Sequence, residues 1–200
     1  MSEASLPDAD RRLARLFAAC VLGAWDAVRA ERRNAGAGEP DRRWREALLM
    51  VHVFAGVPRA VESYGVLDAA GGLGAPSAAE LLEPTTGGAE LFGRIYAEAQ
   101  HEVRALLERY HPLFARQVVE HAYGRVLARP GLAADRRELL ACAALAVLGQ
   151  GRQLASHARG AVRCGARPEE VFEVVDAVAD LAPPARIADA REVVRRFARP

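Results

Sequence analysis

The sequence predicts an all-α protein, and three observations support that fold class. Apolar residues recur at intervals of three and four rather than two, which is the period of an amphipathic helix. Alanine and leucine, both strong helix formers, dominate the chain. Runs of β-branched residues bounded by hairpin turns, which would indicate strands, are missing. With 200 residues, the chain is also long enough to bury a core of its own.

The predicted helices fall into two groups. The first 70 residues contain three, at 10–33, 42–55 and 58–70, the last of which opens at Pro58. Residues 71–88 read GGLGAPSAAELLEPTTGG, and their glycines and prolines indicate a connector rather than a regular element. Six more helices are predicted at 89–110, 113–128, 136–148, 152–164, 168–181 and 184–198. We therefore expect a half at 1–70, a connector at 71–88 and a half at 89–200.

Composition excludes several classes of function. The 27 basic and 26 acidic residues leave a net charge of +1, so no overall positive field favours nucleic acid. Every basic residue is arginine, which excludes Schiff-base lysines and phosphate-loop lysines. Cys20, Cys142 and Cys164 are an odd number without short spacing, which fits a reducing cytoplasm better than a disulfide framework. The first ten residues lack a signal sequence, and the longest apolar run, 139–149, is too short to cross a bilayer. We expect a soluble cytoplasmic protein with no membrane or nucleic-acid partner.

The two halves share a sequence pattern at an offset of 126 residues. Six of thirteen residues match when RRLARLFAACVLG (11–23) is laid over RELLACAALAVLG (137–149). The same offset pairs Pro58 with Pro184. We interpret this as an internal duplication, and helical units that cannot close their own core pack against a copy or another subunit.

Several motifs at these offsets carry a resemblance to one family. The segment His121–Ala166 and the residues that follow it contain a YGRVLARPGL lead-in, an RELL helix that ends in glycine, and an HARGA stretch followed by GARPEE. In the first half, REALLMVHVFAGVPRA (45–60) has the form E-x-L-L…YAG-F-P, with Phe54 for the tyrosine. Both segments resemble the carboxymuconolactone decarboxylase family, which includes the alkylhydroperoxidase D proteins. In the second half, the YAG-F-P segment is reduced to DLAPPA at 180–185.

The resemblance implies a compact helical fold that needs no cofactor and assembles as a trimer of two-repeat chains. The peroxidase branch of the family carries C-x-x-C-x-x-x-H, but Gln150 and Gln153 stand at the two cysteine positions before His157. Since an amide cannot replace a thiolate nucleophile, thiol-dependent peroxidase activity is disfavoured.

His157 and Glu138 are the candidate catalytic residues. Gln150, Gln153 and His157 fall at i, i+3 and i+7, which predicts a polar stripe facing the preceding helix, with the amides as oxyanion donors. The positive end of the helix dipole would favour a neutral imidazole, the form of a general base. The alternative is a structural histidine bonded to a backbone carbonyl.

Glu138 takes the position of the family's proton-relay glutamate. An equally good interpretation is a helix cap, since Asp135 and Glu138 have the D-x-x-E spacing of a capping box. The equivalent first-half residues are Arg12 and Glu31, so we expect the second half to hold the chemistry.

Other polar residues offer weaker candidates. Tyr123 and Arg125 could bind a substrate carboxylate, although Arg125 fits a solvated surface equally well. His52 lies in an apolar run and is most simply a core histidine. No metal site is predicted. The remaining histidines, His101, His111 and His121, are dispersed along the chain. One predicted helix has an acidic face without a histidine in register, made of Glu169, Glu173, Asp176 and Asp180.

The sequence leaves three functions open. The leading hypothesis is a cofactor-free acid-base lyase acting on a small organic acid or lactone. The second is a non-catalytic oligomeric binding or assembly module of the same fold. The third, a thiol peroxidase, requires a cysteine pair that meets only in space. In every case we expect a homo-oligomer, a trimer first and a dimer second.

Overall fold

Helices α1 (Asp8–Leu22) and α7 (Ala134–Leu148) pack against each other at the centre of the computed structural model. The structure describes residues 5–35, 39–82 and 86–199. Helix α7 is buried without interruption from Arg137 to Val147, because small alanines stand among its leucines and let neighbours approach on every side. The large side chains of Phe17 and Trp44, each 1% exposed, fill the adjoining space. Replacing either with alanine would cost about 3–5 kcal/mol.

The remaining helices surround this pair. They are α2 (Trp25–Asn34), α3 (Asp41–Ala69), α4 (Gly88–Tyr96), α5 (Gln100–Tyr110), α6 (Pro112–Gln117), α8 (Gly151–Cys164), α9 (Pro168–Ala177) and α10 (Pro184–Phe197). A π-helical segment, Val118–Leu127, follows α6 directly. Short 3₁₀ turns occupy Ala78–Leu81, Ala97–Ala99 and Ala179–Leu181. No strand occurs among the described residues, and the predicted all-α class is confirmed.

The first predicted helix, 10–33, is in fact two helices. Gly23 ends α1 in the left-handed region (φ 77°), and the amide of Ala24 donates to the carbonyl of Ala19 at 2.9 Å. Glycine takes this conformation without a Cβ penalty, so it terminates the helix although the apolar pattern continues. The predicted break between 55 and 58 is confirmed, since Gly56 has non-helical dihedrals within α3 (φ 83°, ψ 164°).

Two further predicted helices are interrupted where the sequence carries no glycine or proline signal. The helix at 89–110 breaks at Ala97, whose φ is 45° although it carries a Cβ. The helix at 113–128 passes from α6 into the π-helical segment. There α4 lies so close that a Cβ on Gly88 would stand 2.6 Å from the Cα of Gly124. At the π-helical segment, this close approach overrides the local helical pattern.

One core joins the two predicted halves. Buried residues of α1, α3, α7 and α10 belong to a single apolar cluster, so neither half closes a core alone. The described part of the connector contains one short 3₁₀ turn, where the amide and the hydroxyl of Ser77 both donate to the carboxylate of Glu80 at 3.2 Å. None of the described helices combines the length and the hydrophobicity that a bilayer-spanning segment requires. The domain boundaries at 70 and 88 stay a prediction.

Candidate active site

Glu138 of α7 and His157 of α8 face each other across the most closely packed helix pair of the second half. The Nδ1 atom of His157 lies 2.9 Å from Oε2 of Glu138. Glu138 is 1% exposed and His157 is 8% exposed, so the contact is almost entirely removed from water. A carboxylate and an imidazole in contact at this burial interact far more strongly than they would at the surface.

Gly160 makes room for this contact. A Cβ at that position would lie 2.6 Å from Oε2 of Glu138 and 2.8 Å from Cγ2 of Ile95. Because Gly160 has no side chain, both Ile95 of α4 and the Glu138 carboxylate can pack against α8 at this residue. Arg163 fixes α4 there by donating to the carbonyl of Ile95 at 2.8 Å.

The contact raises the pKa of His157 above its ordinary value. Burial alone lowers that pKa, but the negative charge of Glu138 and its hydrogen bond to the ring outweigh the desolvation. The direction of this shift is opposite to the predicted effect of the helix dipole, which would favour a neutral imidazole. His157 is the seventh residue of α8, and the dipole effect fades within the first turn, whereas Glu138 is in direct contact. The arrangement favours an imidazolium paired with a carboxylate.

Glu138 does not cap a helix. Helix α7 begins at Ala134, with Ala133 at the N-cap position and no side-chain cap hydrogen bond. Asp135 lies in the first turn, where its carboxylate accepts from the amide of Arg136 at 2.8 Å. The capping-box interpretation of Asp135 and Glu138 is therefore wrong, because the helix starts two residues earlier than that spacing requires.

The predicted polar stripe along α8 is not formed. Gln150 precedes the helix, and both Gln150 and Gln153 are exposed, whereas His157 is buried. The two amides therefore do not face α7 as predicted. They lie on the solvent side of the first turn, N-terminal to the histidine.

Aromatic rings lie near the buried pair. The ring of Phe54, from α3, lies 6.1 Å from that of His157. Tyr123 is 4% exposed, and its hydroxyl donates to that of Tyr96 at 3.1 Å. Burial raises the pKa of both phenols, and the charge of Glu138 adds to the effect. Sequence reasoning missed Tyr96, because it placed this residue inside one continuous helix rather than at the end of α4.

The structure does not bring Tyr123 and Arg125 into one environment. Tyr123 lies in the buried aromatic group, while Arg125 is exposed. The core-histidine interpretation of His52 is wrong: this residue is half-buried, and its Nε2 lies 2.8 Å from Nε2 of the exposed His121. No three histidine, cysteine or acidic side chains in the described parts of the chain are grouped as a metal cluster would require.

The cysteines are not poised as thiolates. Burial raises the pKa of Cys20 to about 12 and that of Cys164 to about 11, and it raises the pKa of the fully buried Cys142 well above the ordinary range. Since the thiolate is the nucleophile in thiol chemistry, none of the three fits a peroxidatic role.

A cavity of about 690 Å³ lies away from the buried pair, between α3 and the connector. Its wall is mostly apolar, and its lining includes Tyr64, Leu67, Leu73 and Leu81 but neither Glu138 nor His157. A second charged group lies at its edge, where Glu46 accepts from Arg129 at 3.0 Å and from Arg137 at 2.7 Å. No spacing pattern in the sequence pointed to these three buried residues as a group.

The C-terminal part of the molecule is similar to a known protein family. Residues 112–196 match the model of the carboxymuconolactone decarboxylase family. The match spans α6 to α10 and includes both Glu138 and His157. A comparison with curated proteins finds no match. Residues 112–196 are therefore similar to the carboxymuconolactone decarboxylase family.

Proposed function

We propose that this protein is an acid-base lyase that acts on a small organic acid or lactone, with His157 as the proton donor and Glu138 as its orienting partner. The observation that supports the proposal is the buried 2.9 Å contact between Nδ1 of His157 and the carboxylate of Glu138. It lies in the segment that matches the decarboxylase family. The raised pKa of His157 suits a general acid working near neutral pH.

The chemistry needs one proton and a place for two electrons. When the carbon–carboxylate bond breaks, carbon dioxide leaves and the bonding electrons pass into the system conjugated with the lactone carbonyl. His157 then donates the proton on Nε2 to the carbon, and Glu138 holds the ring through Nδ1 while its charge changes. The neutral imidazole recovers a proton from water. The apolar rings of Phe54 and Tyr123 would exclude water from the departing carboxylate.

The residues predicted to bind the substrate keep that role as proposals. Gln153 stands one helical turn before His157, and Gln150 lies three residues earlier at the start of the helix. In this proposal, these two exposed amides donate to the developing oxyanion from the solvent side of the histidine. In this proposal Tyr123 contacts the substrate from the buried side and Arg125 pairs with a carboxylate that enters from the surface. No cofactor takes part in the proposed step.

The experiment is an assay of the purified chain with carboxymuconolactone, following carbon dioxide release and loss of the substrate. His157→Ala should lower turnover by about 10²–10⁴, the usual contribution of a positioned acid or base. His157→Gln serves as the closer variant, because its amide can still bond Glu138 while carrying no transferable proton. Turnover that survives both substitutions would refute the assignment. Loss of folded protein in parallel with activity, judged by circular dichroism, would identify a structural histidine.

A non-catalytic binding module is the second candidate. The cavity of about 690 Å³ favours it, since the volume suits a small ligand and the lining is separate from the buried pair. A chain that shows no turnover with any lactone or acid, yet is stabilised against heat by such compounds, would support this function instead.

We also propose that the chain forms a homo-oligomer, a trimer first and a dimer second. Val57, Val61 and Tyr64 lie at i, i+4 and i+7 on α3 and are 63%, 61% and 41% exposed. Leu81 and Leu82 are about 70% exposed, and Leu81 shares the cavity wall with Tyr64, so this apolar surface is continuous. Light scattering on Val61→Glu should show dissociation, whereas Glu62→Lys on the same helix should not. The cytoplasmic location stays a prediction.

A further inference from the structure

Two histidines from different halves of the chain meet at the surface. His52 lies on the first segment of α3, and His121 lies in the π-helical segment 69 residues later. Their Nε2 atoms are 2.8 Å apart, and their ring centres are 5.0 Å apart with the planes tilted by 52°. His121 is exposed and His52 is half-buried, so the pair can be reached from solvent.

The two rings direct the same nitrogen at one point. When both imidazoles are neutral, one Nε2 must carry the proton and the other must accept it. Nε2 is also a nitrogen through which histidine commonly binds metals. With metal–nitrogen distances of about 2.0–2.1 Å and a tetrahedral angle, two ligating nitrogens lie about 3.3 Å apart. The pair is therefore about 0.5 Å closer than a chelating pair, a difference that a small rotation of the exposed His121 ring can supply.

We propose that His52 and His121 together bind one divalent transition-metal ion, of the class of zinc or nickel, through their Nε2 atoms. Imidazole suits these ions, whereas magnesium and calcium prefer oxygen ligands. On binding, the donor ring changes tautomer: its Nε2 releases a proton to water while its Nδ1 takes one up from water. Each ring then carries its hydrogen on Nδ1 and presents a free Nε2 lone pair to the ion. The pair gains no charge and loses no proton overall in this step.

Solvent completes the coordination shell. The described residues hold no cluster of three or more histidine, cysteine or acidic side chains, so two protein ligands carry the ion and water fills the other positions. Two ligands give a weaker site than the three or four of catalytic and structural zinc centres, and we expect micromolar affinity.

Metal binding would link α3 to the π-helical segment, and so the first half of the chain to the second. His52 belongs to α3, and His121 belongs to the segment that leads into α7. The unfolded chain does not hold these two rings together, so an ion bound by both stabilises the folded state. The effect also reaches the element that carries Phe54, whose ring lies against His157.

Isothermal titration of the purified wild-type chain with zinc chloride tests the proposal. We expect one ion per chain and a rise in melting temperature that increases with zinc concentration. His52→Ala and His121→Ala should each weaken binding by roughly tenfold or more, because one imidazole alone does not chelate. His101→Ala, which removes another exposed histidine, should bind as the wild type does. Magnesium chloride should give no binding isotherm.

Several results would overturn the site. Absence of zinc binding by the wild type at millimolar concentration would do so, as would unchanged binding in both His52→Ala and His121→Ala. An equal loss in His101→Ala would show that zinc binds histidines nonspecifically. If His52→Ala fails to fold, His121→Gln keeps the test decisive, because the exposed ring can be replaced by an amide without opening the core.

Discussion

Helices α1 and α7 have nearly the same backbone. Each spans 15 residues, and each ends at a left-handed glycine, Gly23 (φ 77°, ψ 28°) or Gly149 (φ 70°, ψ 27°). Their starting residues, like their terminal glycines, are 126 positions apart. Arg11 donates to the carbonyl of Leu6 at 3.0 Å, and its counterpart Arg137 donates to the carbonyl of Leu132 at 3.2 Å. This agreement supports the predicted internal duplication, which itself stays a prediction.

The side chains between the paired helices differ where the backbones agree. In the second half, Glu138 contacts His157. The equivalent first-half residues are Arg12 and Glu31, and Glu31 accepts from Arg15 at 2.8 Å. An arginine–carboxylate pair keeps its charges near neutral pH, while a histidine can gain or lose a proton there. One backbone therefore supports a fixed ion pair in one half and a titratable pair in the other.

Matched substitution of the two glutamates sharpens this comparison most. Glu138→Gln should lower turnover by about 10²–10⁴, because the amide cannot stabilise the imidazolium that donates the proton. Glu31→Gln should leave turnover within about twofold, since it changes a pair that does not exchange protons. The measurement is kcat with carboxymuconolactone for both variants. Equal losses would mean that the two halves do not differ in chemical role.

A second pair of glutamates compares a buried ion pair with a partly exposed one. Glu46→Gln leaves Arg129 and Arg137 without their shared carboxylate, and breaking such a buried group costs about 3–5 kcal/mol. Glu173 pairs with Arg11, and its side chain is 26% exposed, so Glu173→Gln should cost about 1 kcal/mol or less. Urea unfolding gives both free energies. A Glu46→Gln variant as stable as the wild type would show that solvent reaches this group.

Much of the fold was predictable from the sequence because helix periodicity is local. The end of α7 at Gly149 follows directly from residue type, and so do the helical segments that open at Pro58 and Pro184. The break at Ala97 and the π-helical segment did not. No residue type marks the break at Ala97, and the π-helical segment packs closely against α4. A single sequence does not reveal such packing.

The candidate site was predictable only in part. The resemblance pointed to Glu138 and His157, but the sequence does not give the 2.9 Å distance between them, and this contact shifts the pKa of His157 in the direction opposite to the predicted dipole effect. Tyr96 and the pairing of His52 with His121 depend on segments far apart in sequence. No spacing rule links residues across the connector, so local pattern could not find them.

The two halves also differ in how tightly neighbouring side chains pack at equivalent positions. Gly160→Ala should lower the free energy of unfolding by about 1–3 kcal/mol, since the added methyl overlaps the Glu138 carboxylate and Ile95. This cost opposes a gain of up to about 1 kcal/mol in helix propensity. The equivalent first-half residue is the exposed Asn34, where alanine should change stability by less than about 0.5 kcal/mol. Thermal unfolding measures both changes, and a stabilised Gly160→Ala would contradict the tight contact.

The smallest effect is a dependence of stability on pH. The folded-state pKa of His157 lies above the ordinary value of 6.5, so folding favours the protonated ring. The resulting stabilisation is fully present below about pH 6.5 and is lost as the pH rises through the higher folded pKa. The difference in unfolding free energy between wild type and His157→Gln should therefore shrink from about pH 6 to pH 9.

Arg15→Gln is the matched first-half control. The hydrogen bonds and charges of Asp180 and Glu31 outweigh partial burial and raise the pKa of Arg15 above its usual value. Arg15 therefore keeps its charge, and the difference in unfolding free energy between wild type and Arg15→Gln should stay constant over the same pH range. Parallel curves for both variants would mean that Glu138 does not favour the protonated ring. Titration of the His157 ring by nuclear magnetic resonance would then locate its pKa directly.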